Sequence, residues 1–304
     1  MTIMWIYVKL ILTALFWGGT FIAGRVVARE AGACSAAFLR FVIASVLLLF
    51  LTRWREGRLP RVKGRNIGAI IILGMTGIFA YNICFFKGLK LIEAGRAAII
   101  IATCPIFIGV FSACFYKERI NALKGAGVIL SVAGAVIAIS KGRPSEIFGG
   151  SIGWGEILIF GCVLCWTAYS LVGKAAMGEL SSLALVAYSA VAGTAGLAIP
   201  AWREGIIDYI GSYSGMVWLS IIYLGVFGTV IGFVWYYDGI RKIGPMKAGL
   251  FINFVPIFAI VQAFILLDEP ITTSLLIGAI LVCSGVYLTN RTTTKINKRK
   301  GEAK

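Results

Sequence analysis

The sequence predicts an all-α integral membrane protein: ten transmembrane helices forming two five-helix repeats of inverted topology. Three observations carry that expectation. The 304-residue chain is 59% hydrophobic and only 14% charged, with a mean hydropathy of +0.91, whereas a soluble domain carries about a quarter charged residues. Runs of roughly 20 apolar residues recur from end to end, each long enough to cross the hydrocarbon core as a helix. Finally, a stretch of the first half returns in the second half at a constant offset.

Taken in order, the first apolar segment covers about residues 4–26 and contains Trp17 to Phe21, WGGTF. It is too long for a secretory leader and lacks a basic stretch before its apolar run. The second, 33–51, holds Arg40 within FLRFVIAS and is followed by a loop with Arg53, Arg55, Arg58, Arg61, Lys63 and Arg65. The third, 66–86, carries Tyr81 and Asn82; the fourth and fifth cover 94–115 and 122–139. A Gly-rich stretch at 141–153 reads as the linker between a first repeat, 1–140, and a second, 154–290. Segments six to ten then fall at about 154–172, 180–200, 214–237, 246–267 and 273–288. The tail, 291–304, is polar and basic, and its composition predicts disorder.

The repeat is clearest between GLKLIEAGRAAIIIATCPIF, Gly88 to Phe107, and GIRKIGPMKAGLFINFVPIF, Gly239 to Phe258. In one register Gly88 falls on Gly239, Ala97 on Ala248, Pro105 on Pro256, Glu118 on Glu269, Gly127 on Gly278 and Gly134 on Gly285. Chance alignment of apolar segments matches Ile and Ala, but not Gly, Pro and Glu in order; a fixed period signals duplication. Five spans per copy is an odd number, so the second copy enters the membrane upside down. Inverted repeats of this kind build carriers whose substrate site lies where the halves meet.

Charge distribution excludes other classes. The net charge is +16, but most of the 29 Lys and Arg cluster in short loops and the tail, with no basic globular domain to bind nucleic acid. Counting them loop by loop places both termini in the cytoplasm of a cell-membrane protein, against anionic lipid headgroups. There is no His, and the seven Cys include only one CxxC, Cys162 and Cys165. That composition predicts no metal site and no cofactor. A lipid-active membrane enzyme needs clustered His, Asp or Glu at one membrane face, which the sequence lacks. A channel favours a symmetric assembly with a ring of like residues.

In the order WGGTF, Arg40-Phe41, the Pro105 helix and Glu118, then Cys165-Trp166, Lys174, Gly239 to Pro256 and Glu269-Pro270, the chain resembles the EamA branch of the drug/metabolite transporter superfamily. The resemblance covers nearly the whole chain before the tail. It implies a cytoplasmic-membrane carrier, often an exporter of amino acids or other small metabolites, with phosphorylated or nucleotide-linked solutes as the alternative cargo. The chain departs from the pattern in its seventh span, which has no Arg where the second has Arg40.

Several residues are candidates for substrate contact. Arg40 is a charge deep in an apolar run, expensive by about 2.5 kcal/mol or more unless it faces a cavity or partner; it suits an anionic group of the substrate. Lys9, nearer a membrane face, reads as a snorkelling side chain. Trp17 and Trp166 occupy similar places in the first spans of the two halves. Thr20 shares a helical face with Trp17, as does Tyr169 with Trp166, and aromatics beside hydroxyls suit a small amphipathic solute. Tyr81 and Asn82 add polar capacity. Asn253 lies three residues before Pro256, and both Pro105 and Pro256 are expected to interrupt helices and free carbonyls. Glu118 and Glu269 look like a repeated acid pair but fit helix starts, where a carboxylate offsets the dipole. No acid lies mid-span, which disfavours proton exchange for lipophilic cations. The expected partners are a small-molecule substrate and membrane lipids, with the protein a monomer or homodimer.

Overall fold

The computed structural model describes residues 3–62, 64–104, 106–108, 111, 122–140, 142, 152–176, 180–243 and 251–301. Glu118 and Pro105 lie outside them, as does the side chain of Asn253. The described elements are helical: α1 (Ile3–Glu30), α2 (Ala33–Glu56), α3 (Gly64–Leu73), a π-helical segment (Gly74–Ala80), α4 (Tyr81–Leu91), α5 (Ala94–Ile101), α6 (Ala122–Ile139), α7 (Trp154–Ala176) and α8 (Ser182–Arg203). There follow a short α9 (Ile206–Tyr209) with a 3-10 turn (Ile210–Ser212), α10 (Gly215–Tyr223), a second π segment (Leu224–Ile231) and α11 (Gly232–Ile243). A 3-10 turn (Phe251–Phe254), α12 (Val255–Leu267) and α13 (Thr273–Gly301) complete the chain.

Among the described residues, six helical stretches are long and apolar enough to cross a membrane: Met4–Glu30, Ala33–Glu56, Asn66–Leu91, Trp154–Gly173, Ser182–Arg203 and Gly215–Gly239. Four shorter apolar helices join them at Ala94–Ile108, Gly125–Ala138, Val255–Leu267 and Thr273–Gly285. Large apolar side chains such as Phe50, Ile129, Ile199, Phe264 and Ile280 are mostly exposed, an outer surface suited to lipid and not to water. This is a multi-pass membrane protein. The tail differs from its expected disorder: α13 continues past its apolar stretch to Gly301. No Gly or Pro interrupts the residues between Gly285 and Gly301, so a helix once begun propagates.

Helix ends are held by carboxylates from other helices. Glu204, at the end of α8, accepts from the Cys34 N–H at 3.1 Å and from the Ser35 N–H and hydroxyl at 2.8 and 3.0 Å, at the start of α2. Reciprocally, Glu56 at the end of α2 accepts from the hydroxyl of Ser181, the cap of α8, whose oxygen also takes the Ala184 N–H. Glu30 at the end of α1 meets Ser214, the cap of α10. Each such contact satisfies donors a helix cannot satisfy itself. Glu204→Ala should therefore lower stability by about 1–2 kcal/mol, read as a shift in thermal unfolding in detergent; an unchanged midpoint would refute the cap.

The same ends define two faces. The end of α1, the starts of α2, α7 and α10, the α4–α5 turn, the end of α8 and the α12–α13 turn are linked on one face. Glu56, Ser181 and the bond from the Tyr188 hydroxyl to the Pro60 carbonyl, 2.6 Å long, lie on the other.

Contacts between the halves recur at the offset of the repeat. Ser131 on α6 donates to the Val282 carbonyl on α13, 151 positions away, at 3.0 Å. A Cβ on Gly134 would lie 2.7 Å from the Gly278 carbonyl oxygen, and one on Gly285 would strike the Gly127 carbonyl oxygen. Gly285 is the repeat mate of Gly134, and Gly127 that of Gly278. On α2 and α8 the Ser45 and Thr194 hydroxyls meet at 3.1 Å, 149 positions apart. Gly74 closes on Gly193 and Ser189 while Gly225, its mate, closes on Arg40 and Ile43. Small residues at these crossings let backbones approach, as membrane helix packing requires.

Candidate functional site

Between the halves, where α1, α2, α4, α7 and the second π segment converge, lies a cluster of aromatic and polar side chains. Trp17 packs edge-on to Trp166 (ring centroids 6.3 Å apart) and against Phe233 (5.9 Å) and Tyr236 (5.2 Å). Trp166 stacks on Tyr169 at 5.4 Å and Phe233 at 5.6 Å, and Tyr81 reaches it at 5.7 Å. Offset and edge-on pairs at these separations are mutually attractive. Gly77 makes room for the Tyr169 ring, which a Cβ there would strike.

Arg40 stands beside this cluster, 6% exposed. Its Nε donates to Thr229 Oγ1 at 3.1 Å and its Nη1 to Asn82 Oδ1 at 3.0 Å. The Asn82 amide is oriented by donating to the Ile78 carbonyl at 2.7 Å, and the Thr229 hydroxyl by donating to the Leu224 carbonyl at 2.9 Å. Trp17 Nε1 donates to the Gly228 carbonyl at 2.9 Å. All three carbonyls belong to the π segments. Such segments leave carbonyls without their usual intrahelical partners and are common at functional sites.

Seven sequence-selected residues thus meet: Trp17, Thr20, Arg40, Tyr81, Asn82, Trp166 and Tyr169. Thr20 spends its proton on the Trp17 carbonyl at 2.6 Å, and its methyl abuts Gly228. Asn253 lies in the 3-10 turn Phe251–Phe254. Pro256 stands in the first turn of α12, a position that needs no N–H, so the change of helical geometry falls just before the proline and not within a continuous helix. Sequence reasoning missed Thr229, Phe233, Tyr236 and both π segments. The available signal was the pairing of Gly74 with Gly225 and Gly77 with Gly228, which extends the repeat register N-terminally.

Toward the N-terminal end of α1, a shallow depression is lined by Leu10, Thr13, Ala14, Trp17, Tyr236, Phe251 and Ile252. Lys9 there pairs with Asp238 at 3.5 Å and lies over the Trp235 ring.

On the other side of the cluster the linked helix ends close. Arg25 donates from Nη1 to the Leu89 carbonyl at 2.6 Å and to the Ile92 carbonyl, and its Nε meets Glu269 at 3.0 Å. Glu269 also accepts from the Ala94 N–H at 3.2 Å and the Gly95 N–H at 3.4 Å. Its carboxylate thus serves the first turn of α5, not of its own helix as expected. Nearby, Arg96 pairs with Glu156 at 2.9 Å. Among the described residues no group of His, Cys, Asp and Glu could hold a metal ion; Cys162 instead packs in the core, donating to the Tyr81 carbonyl at 3.3 Å.

A bundle of apolar helices around a central polar cluster defines the class: a multi-pass membrane protein. The model of the EamA-like transporter family matches residues 4–140 and again 153–291. The chain belongs to the EamA-like transporter family and carries its domain twice. Among its relatives is the uncharacterized transporter YyaM of Bacillus subtilis, 28% identical over 92% of each chain. An uncharacterized transporter of Archaeoglobus fulgidus is 29% identical over 94% of this chain and 98% of its own. A probable terminal-alkyne amino-acid exporter of Streptantibioticus cattleyicolor is 28% identical over 93% of each chain. One solved crystal structure shares the fold with a TM-score of 0.67 at 18% identity, covering 97% of this chain and 99% of its own.

Proposed function

We propose that the protein is an alternating-access carrier in the cell membrane, built from two inverted five-helix repeats, that exports an amino acid or similarly small metabolite. The observation that carries this reading is the reciprocity of the contacts between the halves, Gly134 with Gly278 and Gly285 with Gly127 above all. Two halves related in this way have two near-equivalent packings, reached by exchanging their conformations. The cluster of Trp17, Thr20, Arg40, Tyr81, Asn82, Trp166 and Tyr169, together with Asn253, is the substrate site. Arg25 and Glu269 close the face opposite the N-terminus, and the shallow depression beside Trp17 marks where the path toward the cytoplasm, the side of both termini, widens in the cycle. The relative named as a probable amino-acid exporter supports the cargo class.

The test is counterflow of labelled amino acids into liposomes containing the purified protein. Saturable exchange is expected; non-saturating conductance or chemical turnover would sink the reading. Trp17→Ala and Asn253→Ala should each reduce uptake at least about tenfold, the loss of one good contact, with expression intact. Unchanged kinetics in both would remove the proposed site.

A further inference from the structure

Among the described residues Arg40 is a buried cation without an acid partner. The ion pairs among the described residues join Lys9 to Asp238, Arg25 to Glu269 and Arg96 to Glu156, and none reaches Arg40. Its two hydrogen bonds go to Thr229 Oγ1 and Asn82 Oδ1, neutral groups that each also donate to a backbone carbonyl. Those groups, with the Phe41 ring that the guanidinium overlies at 5.1 Å, fix its plane but do not neutralise it. Of its five N–H donors, the two bonds use two.

An architectural role accounts poorly for this charge. The fold places Ser189 on α8 where it places Arg40 on α2: Gly74 closes on the Ser189 carbonyl as Gly225 closes on that of Arg40. The second half therefore makes the same crossing without a cation. Gly228 joins the charge to the aromatic cluster, since its carbonyl accepts from Trp17 and a Cβ on it would lie 3.7 Å from Arg40 Nη2.

We infer that the solute binds through a carboxylate, or a like monoanionic group, placed on Arg40, with an apolar or aromatic body against Trp17, Trp166, Tyr81 and Phe233, and that an α-ammonium group is dispensable. The inference rests on the carrier reading and names its substrate class. A planar guanidinium matches a carboxylate bidentately. Among the described residues no carboxylate faces the cluster to receive an ammonium. The organic acid lacking the amino group is therefore a substrate alongside the amino acid.

Binding to the purified protein in phosphatidylcholine nanodiscs, where no anionic headgroup competes, tests this with four probes of one shape. They are 3-phenylpropanoate, 3-phenylpropanamide, phenethylamine and L-phenylalanine. The acid and the amino acid should bind within about fivefold of each other, and the amide and amine at least about tenfold more weakly. Arg40→Gln should erase the preference for acid over amide, and Arg40→Lys should keep part of it. Thr229→Val, which loosens the guanidinium without removing it, should shrink the ratio even if Arg40→Gln fails to fold. Equal binding of acid and amide to the unaltered protein, binding of none of the four, or the same ratio in the folded Arg40 and Thr229 variants would overturn the inference. A preserved acid preference without counterflow would instead remove the carrier reading alone, and saturable counterflow indifferent to the carboxylate would remove the substrate class alone.

Discussion

Exchanging the charges of Arg25 and Glu269 should fail to restore the protein, unlike the exchange of an ordinary ion pair. Both side chains are largely buried, 19% and 12% exposed, so Arg25→Glu or Glu269→Arg alone sets two like charges together and should cost at least about 3–5 kcal/mol, the figure for removing one partner. In the double exchange the pair is formally rebuilt, but each charge then meets the wrong helix end. A glutamate at position 25 faces the Leu89 and Ile92 carbonyls of α4 with no proton to give. An arginine at position 269 points donors at the Ala94 and Gly95 N–H groups of α5. Charges matched to helix ends contribute up to about 2 kcal/mol each when partly buried, so the exchanged protein should stay at least about 2 kcal/mol below the original. Chemical unfolding in detergent, followed by tryptophan fluorescence, measures it; recovery to the original stability would reduce the contact to a simple pair. In the proposed cycle this contact must also open. Arg25→Cys with Glu269→Cys, in a background without the native cysteines and bridged by a reducible bifunctional thiol reagent long enough to replace both lost side chains, should stop counterflow, and reduction should restore it.

Gly134→Val and Gly285→Val should destabilise the protein severely and to a similar degree, although 151 residues separate equivalent positions. A Cβ on Gly134 would lie 2.7 Å from the Gly278 carbonyl and 2.8 Å from the Val282 nitrogen, and one on Gly285 would strike Gly127 and Ser131. Backbone atoms cannot step aside as a flexible side chain can, so α6 and α13 must separate. The cost of such overpacking is about 1–3 kcal/mol or more. Gly125, on the same helix α6, meets nothing within 4 Å; Gly125→Ala should instead stabilise by about 0.5–1 kcal/mol through helix propensity. Unfolding midpoints of the three variants decide the matter. Tolerance of valine at only one of the two glycines would break the reciprocity.

Much of the helical layout was legible in the chain. The apolar run at 122–139 is the helix Ala122–Ile139, and the runs beginning at 33, 94, 154 and 273 start where helices start, because hydropathy and the residues that interrupt it are local properties. The third and eighth segments were legible as spans but not as helices with π-helical centres, since a π segment depends on what its freed carbonyls meet. In the candidate site, Arg40, Trp17 and Trp166 stood out as polar or amphipathic side chains in apolar runs. Thr229 and Phe233 did not, because nothing beside them in the sequence marks Thr and Phe in an apolar helix as unusual.

The sequence by itself determined the membrane class, the duplication and the register relating its copies, because composition, span length and the order of Gly, Pro and Glu are properties of the chain alone. Only the tertiary structure decided that Arg40 rests on two neutral groups, that Glu269 serves the start of α5, and that Trp17 hangs on the Gly228 carbonyl. In a bilayer, lipid tails and neighbouring helices are equally apolar, so hydrophobicity does not say which faces meet. Glycine-scale fit and buried hydrogen bonds, formed between residues far apart in the chain, make that choice.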